Sequence, residues 1–327
     1  MKKFLKIFLT VLTSIIIFIL VINIIPPKKV IASNPFITDG LPLICAHRGG
    51  KDLNPENTLK AYKACVNEYN VDILETDLYL TKDKFLVLNH DSSINRTTDV
   101  EVITNSTDKY YIKDHTLDEL KQFNYGYNFK QNDNYPYRDL VEIDNPNRKS
   151  IIEQNDLSII TIDELFEFLY EDYPDMLFIV EIKNSGELGF EACQILNNLL
   201  EQKYPKYKNR IVIGTFNSEV ENHLKDTYPS LYRGASTNAV IKYVVTQMLK
   251  VNLFAKQDFI CLQIPTDKYG INLTRKTYIK RAHRKNIAVQ YWTINEESEM
   301  RLLIERGCDA IMTDNPVLLN EVLEEYR

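Results

Sequence analysis

The chain has 327 residues, 44% hydrophobic and 26% charged, the composition of a folded globular protein with one large domain or two smaller ones. A net charge of −6, with no basic stripe and no RNA-binding aromatic signature, argues against a nucleic-acid partner. Proline and glycine are sparse, and no internal repeat or low-complexity tract interrupts the chain.

The first segment, "MKKFLKIFLTVLTSIIIFILVINIIPPKK", carries Lys2, Lys3 and Lys6 before an uncharged apolar run from Ile7 to Ile25. A bilayer-crossing helix needs about 20 such residues. The run has no polar face, which sets aside a buried core helix. A cleaved signal peptide competes, with Val30 and Ala32 as small residues before a cut. The length of the run and the intervening Pro26, Pro27, Lys28 and Lys29 favour an uncleaved, single-pass cell-membrane anchor over residues 1–29. The lysines before the span favour a cytoplasmic N-terminus, which would make the following domain extracytoplasmic. Residues 30–39 read as a linker. The five dispersed cysteines (Cys45, Cys65, Cys193, Cys261 and Cys308) read as buried thiols rather than disulfides.

From residue 40 to 327, strand-like and helix-like segments alternate. The strand candidates are "LICAH", "DILETD", "LFIVEIK", "RIVIGTF", "YRGAS", "FICLQIP", "VQYWTI" and "AIMTD", with helical patterns between most of them. This order implies a parallel sheet, and eight staves predict an α/β fold of the TIM-type (β/α)8 barrel class. A doubly wound open sheet is the alternative, but no glycine-rich phosphate loop follows the first strand. "FLVLNHD" follows its predecessor after only "TKDK", which permits a hairpin and not a parallel crossover. A turn centred on Lys82 and Asp83 sets His90 opposite Glu75.

Most polar residues of the staves fall at their C-terminal ends: His47, Arg48, Glu75, Asp77, Glu181, Lys183, Thr215, Gln263, Trp292 and Asp314. That is the catalytic face of barrel enzymes. Individually, Thr215, Gln263 and Asp314 read equally well as structural. Glu75 and Asp77, two apart in a strand, share one face. With Glu181 they form a set of hard oxygen donors suited to Mg2+ or Ca2+, and no cysteine cluster or HExxH spacing points to zinc. Arg48 and Lys183 suit a phosphate, and His47 and His90 are of the residue type that serves acid–base catalysis near neutral pH. Metal, phosphate clamp and two imidazoles together point to phosphoryl transfer from an ester.

Beyond this residue-level reading, the sequence resembles the glycerophosphodiester phosphodiesterases. The resemblance is carried by "AHRGG" with "PENTLKAY", "LETDLYLTKDKFLVLNHD", "NRTT", "VEIK" and "VQYWTINEESEMRLLIERGCDAIMTDNP", from about Leu43 to Pro316. It implies a TIM-type barrel, a divalent metal ion, and hydrolysis of a small-molecule phosphodiester to glycerol 3-phosphate and an alcohol. It further implies catalytic roles for His47 and His90, metal ligation by Glu75, Asp77 and Glu181, phosphate contacts from Arg48 and Lys183, and a substrate-side aromatic at Trp292.

There are two departures from the family pattern. A strand that usually ends in Ser-Phe reads "IGTF", with Thr215 in place of the serine. An insertion at about 92–158, starting just after His90, looks extended, and its tyrosines and Phe129 are candidates either for substrate stacking or for packing the insertion on the barrel. Lysophospholipase D activity, the same chemistry on a substrate that keeps one acyl chain, is the alternative enzymatic reading. A non-enzymatic phosphate-ester sensor is disfavoured because no catalytic group is missing.

Overall fold

The computed structural model describes residues 2–268 and 270–327; Met1, the first residue of the expected anchor, and Tyr269 lie outside it. The strands are β1 (Leu43–Ala46), β2 (Ile73–Leu80), β3 (Leu86–Leu88), β4 (Leu177–Ile182), β5 (Ile211–Gly214), β6 (Cys261–Ile264), β7 (Asp267–Lys268), β8 (Ile271–Asn272), β9 (Ala288–Tyr291) and β10 (Ala310–Thr313). Seven are parallel staves in the order β5-β4-β2-β1-β10-β9-β6. Single parallel bridges, Ile213 to Arg233 and Gly234 to Cys261, draw the "YRGAS" segment between β5 and β6. The fold is therefore the expected TIM-type barrel, with its eighth stave reduced to bridges. At Gly234 the absent Cβ leaves room for the Gln263 side chain, whose Oε1 lies 2.5 Å from where a Cβ would stand.

Alternation along the staves sorts the side chains into two cores. Cys45, Ile73, Leu177, Ile179, Val212, Cys261, Ala288, Ala310 and Met312 point into the barrel and close on Phe36. Ile44, Leu74, Leu78, Val180, Ile213 and Ile311 point outward and pack under the helices. The helices Leu59–Asn67 and Ile162–Leu169 each begin at a threonine (Thr58 and Thr161) whose hydroxyl accepts a backbone N–H of the first turn. All five cysteines are buried free thiols.

The structure adds detail to two of the sequence readings. The segment read as a linker is packed against the barrel: Phe36 is fully buried inside the N-terminal end, and Asn34 Nδ2 donates to the carbonyls of Ile260 (2.9 Å) and Asn286 (3.0 Å). The β2–β3 hairpin pairs Leu78 with Leu88 and Leu80 with Leu86, one residue out of the expected register. Lys84 takes a left-handed conformation (φ 71°) and Thr81 Oγ1 accepts from Phe85 N, which lengthens the turn by one residue and leaves His90 level with Thr76, one residue short of Glu75. A short hairpin of β7 and β8 follows β6.

The N-terminal helix Lys2–Ile24 is long and apolar enough to cross a membrane and is almost entirely outside the protein core. The insertion has its own small core, in which Ile94, Val100, Ile112, Leu120, Phe123 and Tyr125 pack on Val87 of β3.

Candidate active site

The parity that fills the barrel with apolar side chains carries Glu75, Asp77, Glu181 and Lys183 to its C-terminal end. β2 and β4 pair in register, with Asp77 beside Glu181, so the acids of the two staves are neighbours. Glu75 and Asp77 are buried. Burial pushes the Glu75 carboxyl well above the usual carboxylate range, and the charge of Asp77 adds to it. The positive charges meet this cluster directly. Lys183 Nζ lies 3.0 Å from Asp77 and 2.8 Å from Glu181, Arg48 Nε lies 3.5 Å from Asp77, and the Arg48 backbone N–H donates to Glu75 at 2.8 Å. Burial works against the Lys183 charge, but Asp77 and Glu181 outweigh it and hold the ammonium above its ordinary value. Arg48 reaches this position through a left-handed backbone (φ 52°) in the turn after β1.

Each histidine is held by its own carboxylate. His47 Nδ1 donates to Asp314 at 2.5 Å, and Asn295 Nδ2 (2.8 Å) and Lys51 Nζ (3.0 Å) hold the other Asp314 oxygen. Burial raises the Asp314 carboxyl, yet these partners, His47 first, bring it down to about 2. His90 Nδ1 lies 2.9 Å from Asp91 Oδ1. Burial is the largest influence on the His90 ring and lowers its basicity, against the opposing pull of Asp77 and Asp91.

A chain of alternating charges joins the two sides. Asp91 accepts from Arg96 Nε at 2.5 Å, Arg96 clamps Glu56 with both terminal nitrogens (2.8 and 2.7 Å), and Glu56 accepts from Arg48 at 3.2 Å. Burial raises the Glu56 carboxyl, but the two arginines outweigh it and hold the group ionised. Asn57 Nδ2 donates to Asp77 at 3.4 Å, and its oxygen accepts from Tyr62 and Thr76. A cleft of about 410 Å³ opens onto this end between His90, Asp91, Glu181, Lys183, Thr215 and Phe216.

The donor set Glu75, Asp77 and Glu181 fits a hard divalent cation in oxygen type and charge, and added positive charge there would relieve the raised Glu75 carboxyl. Among the described residues, however, no three His, Cys, Asp or Glu side chains converge on one point. The Lys183 ammonium is what stands between Asp77 and Glu181.

The profile of the glycerophosphoryl diester phosphodiesterase family matches residues 47–318. The chain belongs to that family. It is accordingly a phosphoric diester hydrolase. A glycerophosphodiester phosphodiesterase of Caldanaerobacter subterraneus is 26% identical over 85% of this chain and 96% of its own. A lysophospholipase D of Mus musculus is 25% identical over 86% of each. Among solved structures, a glycerophosphoryl diester phosphodiesterase domain from Mycobacterium tuberculosis superposes with TM-score 0.67 at 18% identity, covering 87% of this chain and 99% of that one. An Oleispira antarctica phosphodiesterase, solved with its product sn-glycerol-3-phosphate, gives TM-score 0.62 at 22% identity, covering 87% and 97%.

Within this family fold, the sequence reading understated Asp314, which carries His47, and missed Glu56, Arg96, Asn57 and Asn295 as holders of site residues. The only signal was their place in the quoted "PENT", "NRTT" and "TINEE" stretches. Gln263 lies inside the barrel, where its Nε2 donates to Gln290 at 3.3 Å, and Thr215 Oγ1 accepts from Asn217 N at the cleft edge. Trp292 is partly exposed and meets the exposed Phe216 edge-on, 6.4 Å between ring centroids. The insertion's aromatics pack among themselves: Tyr127 and Tyr135 flank Arg138, and Phe129 meets Tyr137.

Proposed function

We propose that the protein hydrolyses glycerophosphodiesters to glycerol 3-phosphate and an alcohol, by two-histidine acid–base catalysis around a divalent cation, Mg2+ or Ca2+. The observation that supports this best is the meeting, at the C-terminal end of the barrel, of three acids, two cations and two separately braced imidazoles. Glu75, Asp77 and Glu181 would hold the cation, which supplies positive charge to the phosphate. Arg48 and Lys183 turn toward the phosphodiester oxygens and exchange part of their pairing with the acids for pairing with substrate. His90, with lowered basicity and one nitrogen committed to Asp91, stays neutral near pH 7 and accepts the proton of the attacking hydroxyl. His47, fixed by Asp314, delivers a proton to the leaving oxygen.

The first nucleophile in this reading is the substrate's own neighbouring glycerol hydroxyl. A well-oriented intramolecular group reaches an effective molarity of roughly 10⁵ M or more, and water then opens the resulting cyclic phosphate. A deoxy analogue lacking that hydroxyl should bind and resist cleavage. Cleavage at the normal rate would establish direct attack by water.

A second reading, lysophospholipase D activity, is favoured by the apolar lip of Phe216 and Trp292, which suits a substrate with an acyl chain. Choline release from glycerophosphocholine and from lysophosphatidylcholine, measured side by side with and without chelator, tests both. Turnover that survives complete metal stripping would defeat the cation assignment. We further propose that Lys2–Ile24 is an uncleaved anchor with the barrel outside the cytoplasm, which N-terminal sequencing of the membrane-bound protein and protease accessibility of intact cells would test.

A further inference from the structure

The helix Thr237–Met248 and the turn after it have an apolar surface that the barrel does not cover. Tyr243, Val244 and Gln247 face inward. Ile241, Val245, Met248 and Leu249 follow at helical spacing on the other side, and all are exposed. Phe254, in the next turn, is 62% exposed, as is Leu249. Lone surface hydrophobes need no explanation, but five in one patch do.

What lies beside this patch identifies what covers it. The Phe254 ring stacks on Phe18 of the N-terminal helix, centroids 6.4 Å apart and planes within 11°. Asn23 Nδ2 donates to the Lys250 carbonyl at 3.1 Å, and Arg284 caps the end of the same helix by donating to the carbonyls of Asn23 (2.6 Å) and Ile25 (2.7 Å). Phe18 precedes the helix end by six residues, so at 1.5 Å per residue its ring lies about 9 Å below that end. Amphipathic helices in an interface bury their apolar face to about 5–10 Å, the same depth. The charge agrees: from Thr237 to Gln257 the chain carries Lys242, Lys250 and Lys256 and no acid, and Lys28 and Lys29 follow the N-terminal helix. Lysines beside an apolar face suit an anionic lipid surface.

We propose that Ile241, Val245, Met248, Leu249 and Phe254 form a second membrane contact, lying in the interface of the bilayer that Lys2–Ile24 crosses. This rests on the reading of that helix as a retained span. The contact lies at the barrel end opposite the acids, since its turn leads into the start of β6 and Arg284 precedes the start of β9, whereas Glu181 and Lys183 lie at or beyond the end of β4. The barrel then stands with its cleft turned toward water, and its substrates arrive from solution rather than from the plane of the anchoring bilayer.

The test uses the full chain in vesicles of phosphatidylcholine and phosphatidylglycerol. The native cysteines are all buried, so a thiol placed by Val245→Cys or Phe254→Cys is open to an environment-sensitive fluorophore, with Val102→Cys on the insertion as control. Labels at 245 and 254 should shift to the blue and be quenched by lipid carrying a spin label high on its acyl chain, and the label at 102 should do neither. Emission and quenching at 245 equal to those at 102 overturn the proposal. So does a blue shift at 245 without lipid quenching, which means that protein, a second copy included, covers the patch. Alkaline carbonate extraction scores the span separately: a chain released by carbonate refutes the retained span, and the proposal with it. Turnover of glycerophosphocholine by the same labelled variants should be unchanged, so loss of the catalytic reading and loss of this one are told apart.

Discussion

Two aspartates at opposite ends of β10 each carry a histidine, and they do different work. Asp309, fully buried just before the strand, accepts from His283 Nε2 (2.7 Å), Val289 N (2.7 Å) and Thr38 N (3.2 Å). Asp314, just after the strand, accepts from His47, Lys51 and Asn295, all side chains. The N-terminal end spends its polar groups on backbone amides and on closing over Phe36. The C-terminal end ties charged side chains to one another. The same pair of residue types is thus a structural tie at one end and, in the proposed mechanism, a brace for a catalytic histidine at the other.

The comparison breaks most sharply at Phe36. Phe36→Ala should cost about 3–5 kcal/mol of stability, read by denaturant unfolding, while turnover per folded molecule stays unchanged. Loss of turnover in the folded variant would erase the distinction between the ends. At the other end, His47→Ala and His90→Ala should each lose at least about 10²-fold in kcat, about 2.7 kcal/mol of barrier, with little change in Tm. A variant of either that keeps normal turnover removes that histidine from the mechanism.

The aspartates give the paired test. Asp309→Asn should cost about 1–3 kcal/mol of stability by disturbing a buried hydrogen-bond set and leave kcat alone. Asp314→Asn should do the reverse, lowering kcat about tenfold through a misoriented His47. If both variants shift only Tm, the contrast drawn above is wrong.

The smallest effect is a displacement along the pH axis. His90 must be neutral to accept a proton, and burial disfavours its protonated form, so the active form persists as pH falls. The acid limb of kcat/KM should therefore lie below the ordinary histidine value of about 6.5. Asp91→Asn, which removes a carboxylate that favours the imidazolium, should move it lower still. An acid limb at or above neutrality would argue against His90 as the base.

The sequence by itself determined the staves, the parity that points Glu75 and Asp77 the same way, and the end at which the polar residues gather. These are properties of strand period and of order along the chain, and both are local. It did not determine what holds those residues. Arg96 reaches Glu56 across 40 positions and Asp314 reaches His47 across 267, separations that no periodicity records. Nor did it reveal that Phe36, one aromatic in a short segment between the apolar run and the first strand, closes the barrel, or that one left-handed residue at Lys84 shifts the hairpin register. Burial and register are decided by which surfaces meet when the ring closes, and that is a property of the tertiary structure alone.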